Sequence, residues 1–380
     1  MAFERVRETL SGDVPGTAVE LNYFRLGPTG APRKVHLQAA LHADEQPGTM
    51  VLHHLLPMLQ RADDEGRLRA RFTVMPMVNP LGMANFSFRK HVGRYDHNTG
   101  VNYNRRWPDL FAAVGVELAG KLTGSAEANV LIARAAVGRW LADQAPRTAA
   151  EALRLIVMRE SHDADIVLDL HCDDESLIHI FTSPELMPGL QDLADWMGAR
   201  ATLLAADSGG ASFDEVLPRF YRSLASANPD SAIPIAAETA TLEYRGGADV
   251  FDHLGKSDAD RLYGFLVGRG LIEDTMPARP ASMPAGTPLE ATEMLRVPHA
   301  GMLAYRVDLG QQVSKGDVIA DLIALDGPDA FTVRTPIRAG TDGFVLSRVT
   351  SKYVPRGASI AKIVGTEPIP SRTGGYLLED

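Results

Sequence analysis

VHLQAALHADEQPG, residues 35–48, is the stretch from which the fold can be read. Its first part, VHLQAAL, is an apolar run of strand length; Gln46-Pro47-Gly48 then turns the chain into the helical pattern TMVLHHLLPMLQRADDEG. A strand that passes through a tight turn into a helix is the unit of an α/β fold. Between the two elements stand His42 and Glu45, three positions apart, so both fall in one turn and can converge on one metal ion.

The same alternation continues outward. RFTVMPMVNP follows, then a long helical region around 126–162, the apolar run IVLDLHC, a helix near LMPGLQDLADWMGAR and a strand at ATLEY. This order predicts an α/β sheet covered by helices on both faces. The pattern changes in the proline-rich stretch TMPARPASMPAGTPLEA, which divides a catalytic domain (1–274) from a small β domain (292–380) through a linker at 275–291. Beyond the linker, AGMLAYRVDLGQQVSKGDVIADLIA, TVRTPIRAGTDGFVLSRVT and VPRGASIAKIV are short β segments separated by glycine turns. They resemble the barrel-sandwich of lipoyl and biotinyl carrier domains. A carrier presents a lysine at the hairpin tip, and ALDGPDAFTVRTP has none, so the domain is expected to be structural.

Composition narrows the function. The chain has 380 residues, 45% of them apolar, enough for a core without external staples. Its net charge of −10 includes no basic cluster, which argues against nucleic acid. No apolar run approaches a membrane span, and MAFERVRETLSGDVPG lacks the apolar centre of a signal peptide, so a cytoplasmic protein is expected. With Cys172 the only cysteine, a metal must be held mainly by His, Asp and Glu. Homo-oligomerisation is left open.

IVLDL ends in His171 just as VHLQAAL leads into His42, so two strand ends can face one cleft, where ligands collect in open α/β sheets. Asp169, two residues before His171 on the same strand face, is placed to orient an imidazole. Cys172 points the other way and is expected to be a buried inert thiol, while His162 in RESHDAD is a rival ligand better read as a helix-end histidine. The polar passage from Asn79 to Leu110, NPLGMANFSFRKHVGRYDHNTGVNYNRRWPDL, reads as an active-site loop. In it Asn104 and Arg105 suit the clamping of a carboxylate, and Arg94 can join that clamp or polarise a scissile carbonyl. Glu243 in TLEYRG, an acid at a strand end, is the candidate general base, with Glu238 its competitor.

Taken in order, the HxxE after a strand, NPLG, an Arg-Tyr pair, NR before an aromatic and proline, DLH at a strand end and a late strand Glu resemble the succinylglutamate desuccinylase and aspartoacylase family of zinc carboxypeptidase-like hydrolases. The resemblance implies a mixed sheet flanked by helices and one zinc ion per chain held by His42, Glu45 and His171. It further implies that Glu243 is the catalytic carboxylate, that Arg94 polarises the carbonyl and that Asn104 and Arg105 bind the substrate carboxylate. Two departures stand out. Asn102 occupies the place of the family's Asp, and Tyr244-Arg245 follows Glu243, which offers Arg245 as an extra substrate contact. The expected activity is hydrolysis of a small N-acyl amino acid or related carboxylate-bearing amide. A metallocarboxypeptidase acting on short peptides and a non-catalytic zinc-binding relative are the alternatives.

Overall fold

The computed structural model describes residues 3–328, 330–372 and 377. The first strands are a hairpin of β1 (Glu4–Ser11) and β2 (Ala18–Leu26), followed by β3 (Lys34–Ala39) and β4 (Arg71–Met75). A small ribbon, β5 (Phe86–Ser87) with β6 (Lys90–His91), precedes β7 (Ile166–Asp173), β8 (Glu175–Ser176), β9 (His179–Thr182), β10 (Ala201–Leu204), β11 (Glu238–Gly246) and β12 (Thr287–Pro288). Nine strands form one mixed sheet in the order β1-β2-β4-β3-β7-β11-β9-β10-β12. Its centre, β4-β3-β7-β11, is parallel, so the carboxyl ends of β3, β7 and β11 open on the same side.

Helices cover both faces, as the alternating pattern predicts. Ile166, Leu168 and Leu170 of β7 and Ala240, Leu242 and Tyr244 of β11 pack against α1 (Pro47–Asp64), α6 (Met187–Met197) and α8 (Asp252–Gly268). The opposite face lies under α3 (Leu110–Leu118), α4 (Ala126–Asp143), α5 (Ala149–Ser161) and α7 (Val216–Ala227). The short α2 (Pro80–Met83) is capped by the Asn79 side chain, which accepts from Gly82 N at 2.9 Å. The long helical region expected at 126–162 is two helices: Pro146 lies in the break, and Thr148 caps the second by accepting from Glu151 N at 3.1 Å.

Residues 292–364 form two antiparallel sheets. β13 (Thr292–Arg296), β15 (Gln312–Val313), β18 (Gly343–Arg348) and β20 (Ser359–Val364) belong to one; β14 (Gly301–Tyr305), β16 (Val318–Ile323), β17 (Arg334–Arg338) and β19 (Tyr353–Val354) make the other. Their shared core includes Leu295, Ile319, Leu322, Val345 and Ile363. The proline-rich stretch is not all connector, because Thr287 and Pro288 add β12 to the edge of the large sheet beside β10. Among the described residues no helix is long and apolar enough to cross a membrane.

Candidate metal centre and catalytic cleft

β3 ends at Ala39, and Ala40 adopts a left-handed φ of 58° that takes the chain out of the sheet ahead of His42. Two glycines allow the close approaches that follow. A Cβ on Gly48 would lie 2.7 Å from the Leu170 carbonyl oxygen, so only glycine lets the start of α1 press against the end of β7. A Cβ on Gly93 would lie 2.7 Å from Asp44 N, and Gly93 O accepts from Ala43 N at 3.1 Å, which draws Arg94 to the HxxE turn.

The Glu45 carboxylate bridges the two histidines: Oε1 is 2.9 Å from His42 Nδ1 and Oε2 is 2.7 Å from His171 Nδ1. One ligand atom from each residue lies within 4.8 Å of the others, and all three side chains are buried. Each far ring nitrogen is held by an acceptor, His42 Nε2 by Asn102 Oδ1 at 2.7 Å and His171 Nε2 by Asp169 Oδ2 at 2.9 Å. With each Nε2 held by an acceptor, Nδ1 is the nitrogen each ring would offer to an ion. Two imidazoles and a carboxylate converging in this way can hold a metal ion with a coordination position to spare. Burial first, then the Arg94 charge, push the His42 pKa down to about 4. Glu45 stays well below the usual carboxylate range, because the two imidazoles outweigh its burial.

Arg94 reaches the same group: Nη1 donates to Glu45 Oε1 at 2.8 Å and lies 3.2 Å from His42 Nδ1. Glu243 pairs in register with His171 on the adjacent strand, so the two side chains share one face of the sheet. Its Oε2 is buried without a hydrogen-bond partner, and burial first, then the Glu45 charge, push its pKa up to about 8. All these residues line a cavity of about 430 Å³, with Asn104 and Arg105 on another wall. Asn104 Oδ1 is committed to Phe213 N at 2.9 Å, which leaves the amide nitrogen as its donor; the buried Arg105 donates from Nη1 to the Asn104 carbonyl at 2.9 Å.

Other candidates lie elsewhere. Glu238 is at the opposite end of β11, where it pairs with Arg269 at 3.1 Å. Arg245 takes a left-handed φ of 61° and pairs with Asp258 on α8, so the expectation of an extra substrate contact is corrected. His162 caps α5, its Nδ1 3.1 Å from the Arg159 carbonyl. Conversely, the cavity wall includes Asp173, Ser208, Asp214, Glu215 and Lys362, which the sequence reading passed over. Asp173 had a signal, two places after His171 on the same strand face; Lys362 had none, since it arrives from the C-terminal strands.

Residues 31–212 match the family model of the succinylglutamate desuccinylase/aspartoacylase catalytic domain, which bears out the resemblance carried by the motifs. His42, Glu45, Arg94, Asn104, Arg105 and His171 fall inside that span and Glu243 beyond it. Among solved structures, a succinylglutamate desuccinylase/aspartoacylase family protein from Shewanella amazonensis is 25% identical over 96% of this chain and 98% of its own, with a TM-score of 0.80. One from Shewanella frigidimarina is 21% identical over 95% and 97%, with a TM-score of 0.78. The product-bound ectoine utilization protein EutE (DoeB) from Ruegeria pomeroyi shares the fold at 16% identity, covering 96% of both chains, with a TM-score of 0.67. No curated protein matches the sequence.

Proposed function

We propose, from the match of residues 31–212 to the succinylglutamate desuccinylase/aspartoacylase catalytic domain, that this chain is a zinc-dependent hydrolase of a small N-acyl amino acid or related carboxylate-bearing amide. The observation that carries the reading is the convergence of His42, Glu45 and His171 in one cavity with Glu243, a buried carboxylate on the next strand with an unpartnered oxygen. The donor set fits zinc, which when bound polarises water and the scissile carbonyl. Asn102 and Asp169 hold the ligand imidazoles in one orientation and tautomer. Glu243 takes a proton from the attacking water and returns it to the leaving nitrogen, so that amide and water become carboxylic acid and amine. Arg94, within hydrogen-bond reach of Glu45, stands where it can turn to the substrate oxygen as negative charge develops there. Asn104 Nδ2 and the Arg105 guanidinium clamp the substrate carboxylate.

A small substrate suits the cavity better than a peptide, because Thr292, Met294 and Lys362 from the C-terminal strands and Thr350 from the bend after β18 wall it in. We read those strands as a barrel-sandwich cap. The test combines metal analysis of the purified protein with a panel of N-acyl amino acids and short peptides, followed by amine release. Stoichiometric zinc and turnover of small N-acyl amino acids are expected, with Glu243→Gln lowering kcat by a factor of about 10² or more. Turnover within a few-fold of the parent in that variant removes Glu243 as the base; zinc retained by a His42→Ala/His171→Ala variant removes the metal assignment.

A further inference from the structure

The turn that precedes α7 carries two adjacent buried carboxylates, Asp214 and Glu215, 8% and 9% exposed, and both line the cavity. Asp214 Oδ1 accepts from the Ser212 hydroxyl at 2.8 Å and Glu215 Oε1 from Ser208 N at 2.8 Å. Among the described residues no Lys or Arg forms an ion pair with either. Glu215 Oε2 is buried without a partner. The Ser208 hydroxyl, on a residue only 2% exposed and also on the cavity wall, likewise lacks a partner in hydrogen-bond geometry. Two other acids of the cleft do have a cation, Asp173 in Lys362 and Glu45 in Arg94. Two neighbouring carboxylates withdrawn from water without a counter-charge repel each other and lose hydration, a costly arrangement unless a cation joins them. Burial and the neighbouring Asp214 push Glu215 up to about 7.

This wall is tied to the carboxylate clamp. Phe213 N donates to Asn104 Oδ1 at 2.9 Å, Arg106 N to the Gly210 carbonyl at 3.2 Å and Trp107 N to the Ala211 carbonyl at 3.1 Å. These bonds set the Glu215 wall beside the loop that carries Asn104 and Arg105.

We propose that Ser208, Asp214 and Glu215 form a subsite for a cationic side chain, an ammonium or guanidinium, on the amine half of the substrate. The substrate class is then an N-acyl amino acid with a basic side chain. An ammonium has three donors, and Glu215 Oε2 and Ser208 Oγ are acceptors without a partner, next to the Asp214 carboxylate. A site with unpaired buried acceptors discriminates strongly against an analogue that cannot fill them.

The inference rests on the cavity being the substrate cleft, and its test separates the two readings. Matched pairs, Nα-acetyl- and Nα-succinyl-ornithine against the norvaline compounds and the lysine against the norleucine compounds, differ in the side-chain cation alone. Each pair is compared by kcat/KM where it is turned over and by calorimetric dissociation constant where it is not. The cationic member is expected to be favoured at least tenfold in the parent, and Glu215→Gln is expected to bring that ratio to within about threefold of one. Ser208→Ala, a milder change, is expected to reduce the ratio, which guards against misfolding of the first variant. Turnover or binding without cation preference overturns the subsite and leaves the hydrolase standing. Cation-selective binding without turnover overturns the hydrolase and supports the subsite. Failure of every pair to bind counts against the subsite.

Discussion

Asn102 shows how much one atom decides at the metal group. Its Oδ1 accepts from His42 Nε2 at 2.7 Å and from Asn104 N at 2.8 Å, so a single carboxamide oxygen fixes both a ligand imidazole and the start of the Asn104-Arg105 pair. A carboxylate in that place would add charge and make His42 a stronger donor. Asn102→Asp is expected to tighten zinc by about tenfold and Asn102→Ala to weaken it about 10- to 100-fold, measured by competition with a chromogenic chelator. Equal affinity in all three proteins would mean that the interaction with His42 has no bearing on the ion. His42, Glu45 and His171 were legible in sequence because His171 stands near the end of one apolar strand and His42 with Glu45 in the turn just after another, and strand ends of a parallel sheet meet. Asp214 and Glu215 were not, since they lie on a loop whose position is set by Asn104, 109 positions away in the chain.

At the scale of elements, the site depends on how tightly α1 seats on β7. Gly48 has no room for a side chain, so Gly48→Ala must push α1 away from the Leu170 carbonyl, 2.7 Å from the added carbon. A cost of about 1–3 kcal/mol is expected, read as a lower denaturation midpoint, together with weaker zinc binding as Glu45 moves off His171. A stable variant with parent metal affinity would show that the helix start is free to shift. A second tie joins the N-terminal hairpin to α5. Glu160 accepts from Arg25 Nη2 at 2.5 Å and from Tyr23 at 3.3 Å, and Arg25 holds its pKa below the usual value although burial opposes this. The folded pKa is lowered, so the stabilisation is complete above an unfolded value of about 4.3 and is lost as pH falls through the folded one. Arg25 is 42% exposed, which limits the pair to about 1 kcal/mol. Glu160→Gln should therefore lower Tm at pH 7 and leave a smaller gap at pH 3. This hairpin escaped the sequence reading because Glu4–Ser11 has only Val6 and Leu10 as apolar residues and no apolar run; its register comes from β2, not from its own pattern.

The whole molecule closes its cleft by joining two bodies of strands. β8 pairs with β18, Glu175 meets both Lys352 at 2.6 Å and Arg348 at 3.2 Å, and Lys362 reaches across to Asp173 Oδ2 at 2.5 Å. Asp173 is largely buried beside the metal group, and Lys362, with burial opposing, holds its pKa down to about 2. The ordering of costs follows from the desolvation of the pair. Lys362→Met leaves an unpaired buried carboxylate and is expected to destabilise the protein by roughly 2 kcal/mol, whereas Asp173→Asn/Lys362→Met leaves no charge stranded and should cost less. With the tie gone but both side chains still filling space, the C-terminal strands are free to ease away from the cleft. The double variant should then gain on bulkier amides, its kcat/KM for a dipeptide rising at least tenfold relative to that for a small N-acyl amino acid. If the single and double variants melt alike and the ratio stays at the parent value, the contact between Lys362 and Asp173 is not what sets the size of the substrate.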